Sequence, residues 1–415
     1  MNEWTNVKLA NIIDITSSKR IFYSEYVESG VPFYRSKEII NLFNKNDIQT
    51  ELFISEERFL EIKEKFGVPE EGDILLTSVG TLGIPYIVRK TDKFYFKDGN
   101  LTWFKKQKVN SSILSKYLFY WLISPVGKQS LDEISIGSTQ AALTITGLKS
   151  LEISLPPLPE QKAIADVLSA LDDKIDLLQC QNETLEKMAE TLFRQWFIEE
   201  AKEDWELCSF EKWVSGTKGG DWGKEVPVDD FTKAVYCLRG TDIASLQNNM
   251  SVNAPLRFIK EKKFFSIEPD NGDIVIEISG GTETQSTGRS YYINEGVRKL
   301  FTQPIIFSNF CRLITVRNSK YSYFIYLYLK FLYDTDEFFA LENGSSGIKN
   351  LNYKAVLFEQ KFLMPAVEKV LDFHELVCSH FIKIDENRIQ IQTLQNLRDT
   401  LLPKLMSGEV RVKLD

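Results

Sequence analysis

The sequence predicts an α+β chain of two mixed α/β domains, each followed by a long helix, the two helices pairing as an antiparallel coiled-coil spacer. Three observations lead there. Residues 151–197 read LEISLPPLPEQKAIADVLSALDDKIDLLQCQNETLEKMAETLFRQWF, a proline-marked entry into a long amphipathic segment. The design returns 209 residues later, where Thr184, Leu185, Thr191 and Leu192 recur as Thr393, Leu394, Thr400 and Leu401, and Met188 as Leu397. Gly72-Asp73-Ile74 likewise recurs as Gly272-Asp273-Ile274, and the mark at Pro157 as Pro365. An internal repeat sets architecture, because each copy must build its own core and then presents a related surface.

The elements follow in order. Residues 1–157 form the first domain, with strand candidates at Asp73–Thr77 and Tyr86–Arg89 between glycine and proline turns and a helix near Ile113–Ile123. Pro156, Pro157 and Pro159 close it, and Pro159 with Glu160 starts a helix, since proline suits a first turn and a carboxylate suits its positive end. Residues 158–200 are the first spacer helix. Its apolar rhythm runs Ile164, Leu168, Leu171, Ile175, Leu178, then Asn182 and Leu185, and after a slip Met188 and Leu192, a seam of about four heptads. Forty helical residues span ~60 Å. Asn182 falls in the seam, where a buried polar residue fixes register. A PxxP ligand and a helix packed on its own domain are the rival readings; the second helix counts against the latter.

Residues 201–365 form the second domain, opened by Trp205 after a charged junction. Arg35…Ile39 finds an echo in Arg239…Ile243, and Gly137-Ser138-Thr139 in Gly344-Ser345-Ser346. Repeat intervals that rise from 200 to 209 mean that short loop insertions separate the copies. Residues 366–415 are the second helix and tail, with Val377, Phe381, Ile384, Arg388, Ile391, Leu394, Leu397, Leu401 and Leu405 in a less regular rhythm and Pro403 in the last turn. Two such seams in one chain pack most simply on each other, antiparallel.

At 415 residues and 43% hydrophobic, each half can fill a core. The start, MNEWTNVKLA, has neither the basic head nor the apolar stretch of a signal peptide, and five scattered cysteines without CxxC spacing suit reduced thiols, so a cytoplasmic, non-membrane protein is expected. The net charge of −8 speaks against nucleic acid until it is mapped. Residues 159–200 carry 4 basic and 10 acidic side chains, whereas residues 1–158 carry 19 of each. Most of the excess acidity thus sits on one helix. The two domains are near neutral, each able to present a basic face.

Catalytic motifs are missing. There is no GxxxxGK[ST] loop, no glycine-rich Rossmann turn and no N/D-P-P-Y/F tetrapeptide of an adenine methylase. Pro269-Asp270 with Glu277-Ile278-Ser279 approaches a nuclease constellation but carries serine where its lysine belongs. Gly216-Thr217-Lys218-Gly219-Gly220 and Gly280-Gly281-Thr282 read as flexible loops without a nucleophile–base pair. No enzyme, metal site or cofactor on this chain is expected. Several loops do suit DNA: Ser17-Ser18-Lys19-Arg20, Tyr34-Arg35-Ser36-Lys37, Thr217-Lys218 through Trp222 to Lys224, Arg239-Gly240-Thr241 and Gly288-Arg289. Lysine, serine, threonine and backbone N–H groups grip phosphates, and arginine reads guanine edges. For any one of these loops an ordinary solvated turn is the better explanation than base contact; their occurrence in both copies makes the set more telling than its members.

With its LPPLPEQ…I…L..LD..I pattern, segment 151–197 resembles the central conserved region of specificity subunits of type I restriction–modification enzymes, as do the GDIL-type strands and the VSGTKGGDWGKE opening of the second domain. The likeness covers the whole chain; Ala366-Val367-Glu368-Lys369 departs from LPEQ in the second copy. It implies two target recognition domains, each reading one half of a bipartite double-stranded DNA site, on helices that set the gap. It also implies docking of two methyltransferase subunits, which carry S-adenosylmethionine, and of ATP- and Mg-dependent restriction subunits through the complex. Spacer and docking residues would be Pro157, Glu160, Gln161, Ile164, Leu168, Leu171, Ile175, Asn182, Leu185, Leu192, Ile384, Ile391 and Leu401. The alternative is a two-headed coiled-coil scaffold without specific DNA binding.

Overall fold

The computed structural model describes residues 4–46, 48–106, 112–137, 141–344 and 349–413. Two compact units divide the chain: residues 1–173 with 395–415, and residues 174–394. Each holds one mixed domain and a part of both long helices.

In the first domain a four-stranded antiparallel sheet runs in the order Asp14–Thr16, Leu101–Lys105, Ile74–Thr77, Pro85–Ile87. Ile74–Thr77 is buried along its whole length, as an unbroken ILLT run requires when both faces are covered. A second sheet contains Phe53–Ile54, Val31–Tyr34 and Tyr95–Phe96, the last two parallel. Helix Ser115–Ile123 supplies Tyr117, Leu118, Trp121 and Leu122 to a core shared with Ile74, Leu76 and Phe104. Strand Thr5–Lys8 pairs with Glu152–Leu155 and brings the domain's two ends together.

The second domain repeats the main sheet strand for strand, keeps the parallel pair beside it, and adds a three-stranded sheet of Ser279–Gly281, Lys349–Leu351 and Glu342–Asn343. Its main sheet runs Val214–Gly219, Cys311–Val316, Ile274–Glu277, Ser290–Tyr292. Beside it Leu256–Lys260, Phe231–Leu238 and Ile305–Phe307 pair with the same parallel contact at the end, and Glu206–Cys208 with Phe362–Met364 closes the base. The repeated Gly-Asp-Ile has a structural cause. Gly72 and Gly272 take φ values of +89° and +98°, which L side chains rarely adopt. Asp73 accepts from Glu70 N–H (2.9 Å), Trp103 Nε1 (2.8 Å) and Lys106 N–H (2.8 Å). Asp273 accepts from Asp270 N–H and Val316 N–H. Each buried carboxylate ties the start of its central strand to the neighbouring strand.

Two segments read as loops are strands. Gly216–Gly219 belongs to Val214–Gly219, where a register shift between Val214 and Gly216 absorbs the glycine, and Gly280-Gly281 belongs to Ser279–Gly281, paired with Lys349–Leu351. Glycine lowers strand propensity but suits close approach: a Cβ on Gly281 would lie 2.6 Å from Thr287 Oγ1. Ser138, Thr139, Ser345 and Ser346 lie outside the described residues.

The first long helix spans Leu158–Arg194 and continues as a π turn, Gln195–Glu199; the second spans Val367–Ser407, through Pro403. In the first unit Ile164 and Leu168 share a core with Leu402, Leu405 and Met406, and Asp172 pairs with Arg398 at 2.9 Å. In the second, Ile175 and Leu178 pack with Ile391 and Leu394, and Phe193 meets Phe373. Numbers rise on one helix as they fall on the other, so the pairing is antiparallel. Leu171, Leu185 and Leu401 lie half-buried along it.

Beyond Asn182 the seam departs from the expected rhythm. It passes through Ala189, Phe193 and Phe197, leaving Met188 47% exposed and Leu192 half-buried; on the second helix Leu397 is 45% exposed and Arg398 takes the inner face. An α-helix keeps a 3.6-residue period, which drifts ~20° per heptad against a 3.5-residue repeat. Asn182 is buried and accepts from Asn387 Nδ2 at 2.9 Å, a partner the sequence had not disclosed.

Candidate nucleic-acid interface

In the first domain, parallel strands Val31–Tyr34 and Tyr95–Phe96 end together and draw three loops to one place. Lys19 N–H donates to Tyr95 Oη (2.6 Å), Arg20 pairs with Asp98 (3.0 Å), Lys97 N–H donates to Tyr34 O (2.9 Å) and Ser36 Oγ to Asn100 O (3.4 Å). Residues 18–20, 34–37 and 97–100 therefore converge. Lys19, Arg20 and Lys37 are exposed, Ser18 and Ser36 half-buried. Tyr34 stacks on Phe94 with centroids 4.4 Å apart.

Arg35 differs from the free loop arginine expected of it. It stands at the start of helix Ser36–Phe43, its N–H bonded to Glu38 Oε2 (2.7 Å) and its guanidinium to Glu38 Oε1 (3.0 Å), while Glu38 is buried. Arg239 does the same for helix Gly240–Gln247, with Asp242 as the buried acceptor at 2.8–3.1 Å. This explains the Arg…Ile echo: the backbone N–H and side chain of one residue meet a carboxylate three residues on, a form of the capping box. Both guanidinium groups stay partly accessible, 31% and 40%, and are held in one orientation.

The second domain brings together the corresponding segments. Gly220 lets the chain press onto Phe307 and Ser308, whose carbonyl oxygens would lie 2.2 Å from an added Cβ, and Asp221 N–H donates to Phe307 O. Trp222 is exposed beneath the Arg257 guanidinium, 4.2 Å from the ring centroid. Thr241 is exposed at the helix start. Arg289 is not the open contact expected. It makes a bidentate pair with buried Glu277 (2.7 and 2.8 Å) and keeps only 17% exposure. Thr217 and Lys218 sit within a strand, Lys218 Nζ bonding Glu268 O, so they do not join the set; Lys224 bridges to Phe258. The approach to a nuclease constellation dissolves as well, since Glu277 is spent on Arg289 and Asp270 lies beyond the other end of strand Ile274–Glu277.

Sequence reasoning missed Phe22 and Tyr23, 62% and 89% exposed beside Arg20, and Phe310, 59% exposed at the turn before Cys311–Val316. No periodicity marks an exposed aromatic in a loop, so no sequence signal pointed to them.

The spacer residues divide by role. Glu160 is buried and bonded to Arg411 at 2.5 and 2.6 Å and to Trp4 Nε1; Gln161 accepts from Leu114 N–H and donates to Ser112 O and Pro156 O. The Pro157-Leu-Pro-Glu-Gln motif thus fastens helix to domain, with the side chains of Glu160 and Gln161 engaged in that task. In the second unit Arg388 bonds Leu246 O (2.7 Å), Asn249 Oδ1 (2.9 Å) and Tyr291 Oη, between Glu186 and Asp385, each 3.5 Å away. Burial pushes Glu186 up to about 7 and Asp385 to about 6, against the pull of Arg388. Ile384 and Ile391 are buried beside it. By contrast Thr184, Met188 and Thr191 lie exposed on one face of the first helix, and Thr393, Leu397 and Thr400 on the second, each threonine bonding the carbonyl four residues back. Much of what the repeat preserves is therefore surface.

Among the described residues no His, Cys, Asp or Glu cluster could hold a metal, and no helix is long and apolar enough to cross a membrane.

Residues 1–187 match the family model described as the Type I restriction modification DNA specificity domain. The chain is 28% identical over 435 residues to the type I restriction enzyme MjaIX specificity subunit of Methanocaldococcus jannaschii, covering 99% of this chain and 94% of that protein. It is 24% identical over 478 residues to the HindI specificity subunit of Haemophilus influenzae, covering 99% and 100%. Its fold matches the crystal structure of a type I restriction–modification S subunit from M. genitalium with a TM-score of 0.59 at 16% identity, covering 99% and 97%. In its repeated domains, its antiparallel helices and these likenesses together, the chain is similar to the specificity subunits of type I restriction–modification systems.

Proposed function

We propose that this chain is the non-catalytic DNA-reading subunit of a cytoplasmic type I complex, each domain reading one half of a bipartite duplex site. One observation supports the reading: the main sheets of the two domains share one strand order, and each domain leads into a long helix that carries an exposed Thr, Met or Leu, Thr stripe. A duplicated reader on a duplicated dock suits a split target and two copies of one partner. Arg35 and Arg239, held by their carboxylates, would supply oriented donors to base edges or phosphates. The two convergent loop sets form the reading surfaces.

The helices would set the unread gap. The exposed stripes Thr184–Met188–Thr191 and Thr393–Leu397–Thr400 would each receive a methyltransferase subunit, with restriction subunits joining through that assembly. S-adenosylmethionine, ATP and Mg²⁺ belong on those partners. A near-neutral domain gains little from phosphate neutralisation alone, so tight binding needs the partners. The test is the genome-wide adenine methylation pattern of cells expressing this chain with and without the methyltransferase of its system. A new split motif requiring both genes is expected. Specific methylation without a motif in two parts would overturn the bipartite reading, and no motif with both genes present would favour a scaffold.

A further inference from the structure

Both domains carry a cleft at the same place, where the Gly-Asp-Ile turn meets the long helix. In the first domain it has a volume of about 430 Å³ and in the second about 420 Å³. Their charges differ. In the second, every carboxylate is occupied: Glu295 by Lys299 (2.8 Å), Glu386 by Lys383 (3.1 Å), and Asp385 by Asn294 (2.6 Å) and Arg388 (3.5 Å). In the first, Arg89, Lys90, Lys106 and Lys116 converge on the cleft, and none of the four side-chain cations forms an ion pair with a carboxylate among the described residues. Lys162 is taken by Asp166 at 2.6 Å, and Glu71 is the other acid of the lining. Cations in excess of the acids around a concave surface call for an anion from outside.

We propose that this basic cleft receives an acidic, partly apolar polypeptide segment of a protein partner. Three features favour protein over phosphate. Its floor is apolar, formed by Ile87, Val88, Leu114 and Ala165, and offers a seat for a side-chain anchor. The donors around its glycine turn are spent: Gly72 N–H bonds Val88 O, Lys106 N–H bonds Asp73, and Leu114 N–H bonds Gln161, so the Gly72 turn keeps no N–H nest of the kind that cradles phosphate. It also lies away from the reading loops. Ile74 pairs with Phe104 and Thr77 with Leu101; the loops gather at the Thr77–Leu101 end, the cleft at the Gly72–Lys106 end, roughly 13 Å off at ~3.3 Å per residue. The cleft is thus a second docking point with acidic specificity, and it rests on the reading of this chain as a subunit that binds protein partners.

The test assembles the full chain with the methyltransferase subunit of its system and treats the complex with a carbodiimide, which couples a lysine amine to a carboxylate in contact. Cross-links from Lys90, Lys106 or Lys116 to an Asp/Glu-containing segment of the partner are expected. A Lys90→Glu, Lys116→Glu chain should lose partner retention at ~0.15 M salt by about tenfold, because charge reversal places like charges face to face. An intact complex with no such cross-links and undiminished retention in the double variant overturns the proposal while leaving partner docking in place. Protection of these lysines from acetylation by ATP or duplex DNA, but not by the partner, overturns it in favour of a phosphate ligand. No complex with the unaltered chain sinks both the proposal and the docking reading.

Discussion

Replacing Arg388 by methionine removes the cation from the most enclosed charged cluster of the second unit. Arg388 is 6% exposed and bonds Leu246 O, Asn249 and Tyr291, with Glu186 and Asp385 each 3.5 Å away. Removing one partner of a buried ion pair costs about 3–5 kcal/mol, because the remaining charges lose their compensation. The cost should depend on pH. Glu186 sits at about 7 and Asp385 at about 6 in the fold, above their ordinary 4.5 and 3.8, so the folded chain holds these protons more tightly than the unfolded one. Such groups stabilise most below the unfolded values, and that contribution is lost as pH rises through the folded ones. Without Arg388 both values climb further. At pH 5 the two acids are then neutral and the penalty falls to the cost of the unmade hydrogen bonds, about 1–3 kcal/mol; at pH 8 it reaches the full amount. Hydrogen exchange of strand Ser290–Tyr292 and helix Gly240–Gln247, followed by mass spectrometry at both pH values, reads the local stability. Equal penalties at pH 5 and pH 8, or a loss below 1 kcal/mol at pH 8, would refute the desolvated cluster.

Three further outcomes are expected. Asn182→Leu alone should cost about 1–3 kcal/mol by stranding the Asn387 amide, whereas Asn182→Leu with Asn387→Leu should match or exceed the parent in thermal denaturation; additive losses would contradict the pair. Gly272→Ala should lower stability by more than 1 kcal/mol, since the position has φ +98° and its Cβ would lie 2.7 Å from Ser319 Cα; an unchanged denaturation midpoint would show that the turn is soft. Glu160→Ala should loosen both Trp4 and Arg411, with faster proteolysis near residue 411 and a loss of about 1.5–3 kcal/mol; unchanged protease resistance would count against it.

The sequence disclosed the architecture because the repeat lies in residues that the fold itself needs. Asp73 and Asp273, Gly72 and Gly272, and the apolar positions of the helix starts each have one mechanical task, so they recur and can be read. The seam was legible as far as Asn182 because 4-3 spacing and 3.6 periodicity agree over short lengths, and they part company at Met188. What stayed hidden depends on distant partners. Nothing near Asn182 points to Asn387, and nothing near Arg388 points to Leu246 or Asn249. Arg35, Arg239 and Arg289 looked like loop cations because the carboxylates that hold them, Glu38, Asp242 and Glu277, are ordinary residues until the fold brings them near. Glycine pairs misled for the opposite reason: they signal a turn locally, yet here they admit close backbone contact inside a sheet.

The proposed function rests on each domain reading its own half of the target. Exchanging residues 201–365 for the second domain of another specificity subunit, and sequencing the adenine methylome of cells that also express the methyltransferase, tests it most directly. One half of the methylated motif should change while the other half and the gap stay as they were. A change in both halves would contradict reading by independent domains.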